Sequence, residues 1–207
     1  MMDTKQIKAN LQEYGFVHIL YPSSLNEEKI KAFCGDTLFK TLVKENPNST
    51  RLLASNQDVD FHTDHIKAKY IAWQCNSQAA LGGESLLVDT LELLSTTSKD
   101  ILDCLESIPV KSHRLFFDDK PQYPLFSKSE NVLYYAPFLC DEPINSKEKQ
   151  AYSWFINSIK SANKIEIKLS EGDWLIIDNH RMLHGRKGFE KKSNRLLTRY
   201  WLSGQAI

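Results

Sequence analysis

From about residue 50 onward the chain is a succession of short apolar runs separated by turn-prone Asn, Asp, Ser and Gly, a texture that restricts its core to β-structure. The clearest stretch lies near the carboxyl end. There Ile165-Glu166-Ile167-Lys168-Leu169 alternates strictly, Glu171-Gly172-Asp173 turns, and Trp174-Leu175-Ile176-Ile177-Asp178 is continuously apolar. Further strands are expected over residues 51 to 54, 59 to 62, 70 to 75, 85 to 88, 113 to 117, 131 to 136 and 195 to 202.

Helices flank this core. Residues 4 to 14 read as an amphipathic helix that Gly15 breaks, and Phe16 to Leu20 as a strand ended by Pro22. Ser24-x-x-Glu27 is a capping-box signature for a helix carrying Ile30, Phe33 and Leu38, with Gly35 a point of interruption. Asp89 to Ser107 is apolar at helical spacing, and Asn145-x-x-Glu148 opens a helix expected to run to residue 161. The fold class is therefore mainly β with flanking helices. The 207 residues, 42% of them hydrophobic, suit one domain, residues 1 to 48 packing on its core as helices and a strand.

Charge limits the partners. The 26 basic residues equal the 26 acidic ones, so no long-range field favours nucleic acid or an anionic membrane, and the expected partner is a small molecule. Cys34, Cys75, Cys104 and Cys140 are widely spaced and read as reduced thiols. No long apolar run and no signal-like amino terminus is seen, which leads to the expectation of a soluble, cytoplasmic protein.

The chemistry begins at Asp60-Phe61-His62-Thr63-Asp64, where an imidazole and a carboxylate two residues apart on an extended strand share a face. His184, after the apolar strand, offers a third ligand. Two histidines and a carboxylate leave coordination positions open, as non-haem iron(II) requires. Alone, a His-x-Asp triplet arises by chance on surface strands.

The order of motifs is more specific. Phe61-His62-Thr63-Asp64, Gly82-Gly83-Glu84-Ser85-Leu86-Leu87-Val88-Asp89 and residues 178 to 189 resemble the taurine dioxygenase family, including its γ-butyrobetaine and trimethyllysine hydroxylase relatives; the resemblance covers about a third of the chain directly. It implies a double-stranded β-helix (jelly-roll) core, iron(II) held by His62, Asp64 and His184, and 2-oxoglutarate and O2 as cosubstrates. It further implies hydroxylation of an unactivated C–H bond with release of succinate and carbon dioxide. Ser85 and Arg195, the latter eleven residues beyond His184 (195 − 184), match positions that hold the distal carboxylate of 2-oxoglutarate. A planar guanidinium suits a carboxylate bidentately. Arg199 shares a face with Arg195 and matches an arginine that meets an anionic substrate in taurine dioxygenase itself and supports the cosubstrate in some relatives, while Asp58 resembles a substrate-contacting position. Together they would suit an amino-acid-like zwitterion. Asp64 excludes the halogenating relatives, which replace this carboxylate.

His65 should face away from the metal, and His18, His113 and His180 should be structural; Arg186 is expected to brace its turn through a salt bridge, and Tyr134 to Phe138 to fill the core. The proline-rich stretch that follows the first triplet in the family is missing, which implies a reduced lid and room for a carrier-tethered substrate. Two other classes fit the triplet alone: a non-catalytic binding module, and a cupin-type metalloenzyme with no use for Ser85 or Arg195.

Overall fold

A computed structural model describes residues 4–21, 25–46, 54–143 and 145–204. Helix α1 (Thr4–Tyr14) buries Ile7 and Leu11, and strand β1 (Phe16–Ile19) follows Gly15. Helix α2 (Glu27–Cys34) starts at Asn26, whose side chain accepts from the Lys29 N–H at 3.1 Å; Ser24 and Pro22 lie outside the described residues. Gly35 ends this helix rather than interrupting it. It sits at φ 83°, and an added Cβ would come 2.3 Å from the Gly204 carbonyl oxygen. Leu38 accordingly belongs to β2 (Thr37–Lys44), a strand absent from the sequence reading because its burial does not alternate; its pairing with the last strand defines it.

Then come β3 (Val59–His62), β4 (Tyr70–Ser77) and β5 (Ser85–Asp89). The helix expected over residues 89 to 107 divides into α3 (Leu91–Ser95) and α4 (Lys99–Ser107), because Thr96, Thr97 and Ser98 favour caps over helix interior and Ser98 caps α4. Short pairs follow: β6 (Pro109–Lys111) with β7 (Gln122–Pro124), and β8 (Phe126–Ser127) with β9 (Val132–Leu133). No strand forms over 113 to 117, where Asp119 Oδ2 accepts from the Phe116 N–H and folds the segment into a loop. The strand expected over 131 to 136 shrinks to two residues after Asn131, at φ 53°. Most of the strand expected over 51 to 54 falls outside the described residues. Helix α5 (Ser146–Ser161), capped by Asn145 as expected, leads to β10 (Ile165–Ile167), β11 (Trp174–Asp178), β12 (Met182–Arg186) and β13 (Leu196–Leu202).

Two antiparallel sheets result, β1-β11-β4-β13-β2 and β10-β5-β12-β3. Side-chain alternation sorts their residues into layers. Trp174 and Ile176 of β11, with Ala72, pack under α1 and α2, while Leu175, Ile177, Ile71 and Leu197 face Leu87, Ile167 and Met182 of the other sheet. Val88 and Leu183 point the opposite way, to Leu105 of α4 and Phe155 of α5. Strand β11 is thus covered on both faces, which is why its sequence is continuously apolar. No described helix is long and apolar enough to cross a membrane.

Candidate metal centre

Strands β3 and β12 lie side by side with His62 directly opposite His184, their ring centroids 4.3 Å apart. His184 therefore stands on a strand of its own after β11. Asp64 lies just past the end of β3, and fixed contacts turn it inward. The Thr63 N–H donates to the Tyr135 carbonyl at 2.6 Å, the Asp64 N–H to Asn179 Oδ1 at 2.8 Å, and Asn179 Nδ2 to the Ala68 carbonyl at 2.9 Å. Asn179 is fully buried, so it clamps this loop without exchanging partners with water. One donor atom from each of His62, Asp64 and His184 then lies within 4.8 Å of the others.

The protonation states suit a cation. The His62 Nδ1–H donates to the Asp60 carbonyl at 2.8 Å, leaving Nε2 as a lone pair. Burial pushes the His62 imidazolium below its ordinary range, and burial with the neighbouring His62 pushes His184 down to about 3. For Asp64, burial opposes ionisation, but Arg199, His184, His62 and the Trp201 N–H outweigh it and hold the carboxyl below its usual range. Neither ring nitrogen of His184 has a hydrogen-bond partner although both are buried. Two neutral imidazoles and a carboxylate, one imidazole orphaned, form a donor set that fits a divalent metal.

Ser85, Arg195 and Arg199 line one cavity with His62, His184 and Trp73. Arg195 is buried, its Nε donating to Gln78 Oε1 at 3.1 Å, and burial together with Arg186 pushes its pKa down to about 10, so it stays charged at neutral pH. Gly83 sits beside it at φ 76°, a conformation that favours glycine, and an added Cβ would lie 3.0 Å from Arg195 Nε. Arg199 Nη1 lies 3.1 Å from each carboxylate oxygen of Asp64. Asp58 is exposed and does not line this cavity; its carboxylate accepts from the Gly188 N–H at 2.5 Å, bracing the turn after β12.

The remaining expectations divide. His65 is wholly buried against Asp119 at 3.1 Å, His180 meets the Ile66 carbonyl at 2.7 Å, and His18 is half-buried beside Asp173 at 3.0 Å, all structural. His113 is not a core histidine: it lies exposed on a loop, 5.7 Å from the Phe138 ring. Tyr134 and Tyr135 do fill the core, but Phe138 is 58% exposed and 6.5 Å from the His62 ring, at the edge of the centre. Arg186 braces its neighbours through the Ser55 and Gln57 carbonyls, at 2.7 and 2.6 Å, and forms no salt bridge among the described residues. Sequence reasoning missed Asn179 and Trp201. The indole N–H of Trp201 donates to Asp64 Oδ2 at 2.8 Å, and its place two residues beyond Arg199 on one strand face was the available signal.

This arrangement of packed sheets around two histidines and a carboxylate matches the fold of solved non-haem iron oxygenases. The crystal structure of the oxygenase OrfP with Fe and α-ketoglutaric acid superposes at a TM-score of 0.65 and 19% identity, covering 80% of this chain and 56% of that one. Asparagine oxygenase with Fe(II), 2S,3S-3-hydroxyasparagine and succinate gives 0.64 and 16%, covering 79% and 56%. The chain belongs to the taurine catabolism dioxygenase TauD, TfdA family, whose sequence model matches residues 3–201. It is 26% identical to 3-((Z)-2-isocyanoethenyl)-1H-indole synthase of Fischerella ambigua, over 86% of this chain and 78% of that protein. It is 24% identical to human gamma-butyrobetaine dioxygenase, over 72% and 44%. The chain thus spans less than half of the human relative and little more than half of the solved oxygenases.

Proposed function

We propose that this protein is an iron(II)- and 2-oxoglutarate-dependent oxygenase, a single domain whose two sheets form a double-stranded β-helix. His62, Asp64 and His184 hold the metal, and Arg195 with Ser85 holds the distal carboxylate of 2-oxoglutarate. The observation that carries this reading is the buried His184 ring with both nitrogens unpartnered beside an ionised carboxylate. A metal bond is the interaction that such a ring lacks. Bound iron, with 2-oxoglutarate and O2, supplies the oxidising power for attack on a substrate C–H bond, leaving succinate and carbon dioxide.

The chain's own residues perform the rest. Asp60 fixes the His62 tautomer, Asn179 fixes the loop that aims Asp64, and β12 fixes His184 opposite His62. Arg195 stays ionised in an apolar cavity walled by Trp73, Leu87 and Leu197, where an ion pair with a carboxylate is weakly screened. Phe138, 58% exposed and 6.5 Å from the His62 ring, marks the solvent side of the centre and the entry this reading assigns to substrate. The class favoured is a small metabolite with an acidic group that Arg199 can take, amino-acid-like as in the OrfP and asparagine oxygenase complexes. Asp58 accepts from the Gly188 N–H outside this cavity, so the acidic group is the part of the substrate that this reading assigns to a residue.

The product named for the Fischerella ambigua relative carries a carbon–carbon double bond rather than an alcohol, which favours desaturation as a second outcome. Anaerobic addition of iron(II) and 2-oxoglutarate should give a visible charge-transfer band that Asp64→Ala abolishes and Arg195→Ala weakens. Aerobic succinate release should follow, and product masses separate oxygen insertion from loss of two hydrogens. Absence of both the band and succinate release would overturn the reading.

A further inference from the structure

Arg199 and Trp201 stand two residues apart on one face of β13, and both donate to Asp64. They are held differently. The Arg199 guanidinium shares one nitrogen between two oxygens, and its Nε is buried without a partner, so it has donor capacity left for an anion in the cavity it lines. Trp201 makes one 2.8 Å bond to Oδ2 and is locked by packing. It is 4% exposed, stacks on the buried His65 ring at 6.1 Å and 25°, and meets Phe39 at 5.3 Å.

The two donors also differ toward a metal. A guanidinium and a divalent cation on one carboxylate repel each other, and burial leaves that repulsion weakly screened. An indole N–H carries no net charge and tolerates the cation. We propose that Trp201 is the positioning residue of the metal centre. Its N–H keeps Asp64 oriented toward His62 and His184 when Arg199 turns to an anion in the cavity. The inference rests on reading these three residues as metal ligands.

Anaerobic Co(II) titration of the full chain, followed by visible absorption, tests it. Trp201→Phe should weaken Co(II) binding about tenfold to a hundredfold and shift the visible bands, with the unfolding midpoint of the metal-free protein near that of the unaltered chain. Phe39→Leu, which leaves the N–H in place, should keep the affinity, and Arg199→Met should bind Co(II) no more weakly than the unaltered chain. Unchanged affinity in Trp201→Phe, or an equal loss in Phe39→Leu, would overturn the proposal. If Trp201→Phe does not fold, a tenfold loss in Arg199→Met overturns it, by showing that the guanidinium holds the carboxylate. Failure of the unaltered chain to bind Co(II) removes the metal-centre reading itself. Binding that Asp64→Ala abolishes and Trp201→Phe leaves untouched removes only the role of Trp201.

Discussion

His62 and His184 face each other across an antiparallel strand pair with ring centroids 4.3 Å apart, yet only His62 has a hydrogen bond to orient it. The asymmetry has an energetic consequence. In the metal-free protein the His184 ring is desolvated without compensation, at a cost of about 1–3 kcal/mol for an unsatisfied buried polar group.

His184→Leu should therefore leave the metal-free protein at least as stable as the unaltered chain, while removing its stabilisation by metal. The unaltered chain should gain about 2.7 kcal/mol at a metal concentration 100 times the Kd. Thermal unfolding with and without Mn(II) measures both. A metal-free variant that unfolds well below the unaltered chain would contradict the account.

At the other end of the cavity, Arg195→Ala should weaken 2-oxoglutarate binding by about 1.5–3 kcal/mol, the range for hydrogen bonds to a charged group. Gly83→Ala should act through the same contact, because the new methyl group strains a positive-φ turn and displaces the Arg195 side chain. Calorimetry with the metal-loaded protein gives both constants. Wild-type affinity in Gly83→Ala would show that Arg195 does not need its observed position.

Acid should destabilise the metal-free protein early. Burial lowers the folded-state pKa of His62, His65 and His184, so the unfolded chain binds more protons below about pH 6.5, and stability falls as pH drops through that value. Each such histidine contributes about 1.4 kcal/mol per pH unit until its own folded pKa is reached, which for His184 is about 3. Asp64, held below its ordinary range, adds its loss only below about pH 4. Urea unfolding at pH 7, 6 and 5 should give a slope of more than one proton. A flat profile from 7 to 5 would show that these rings are not buried neutral.

Asn179→Ala should cost at least about 2 kcal/mol, since it strands the buried Asp64 N–H and Ala68 carbonyl together. Metal affinity should fall with it, as the loop carrying Asp64 loosens. Chemical denaturation and Co(II) titration of the same variant test the pairing of the two losses.

The divide between what was legible and what was not follows from interaction range. The strands at 59 to 62 and 174 to 178 and the helices at 4 to 14 and 146 to 161 are set by local periodicity and caps and formed where their pattern placed them, while the alternating run 165 to 169 is a strand over its first three residues. Strand β2 has no such pattern and exists because β13 pairs with it, while residues 113 to 117 look strand-like but find no partner.

The same division holds at the metal centre. The sequence determined the donor set, because an imidazole and a carboxylate two positions apart and a later histidine are chemical facts of the chain order. Only the tertiary structure decided that His184 meets His62 across a strand pair, that Asp58 faces the Gly188 amide and not the cavity, and that Arg199 and Trp201 converge on Asp64. Spacing fixes which face of a strand a side chain takes, whereas its partner depends on register between segments more than a hundred residues apart in the chain, as for Asp64 and Trp201.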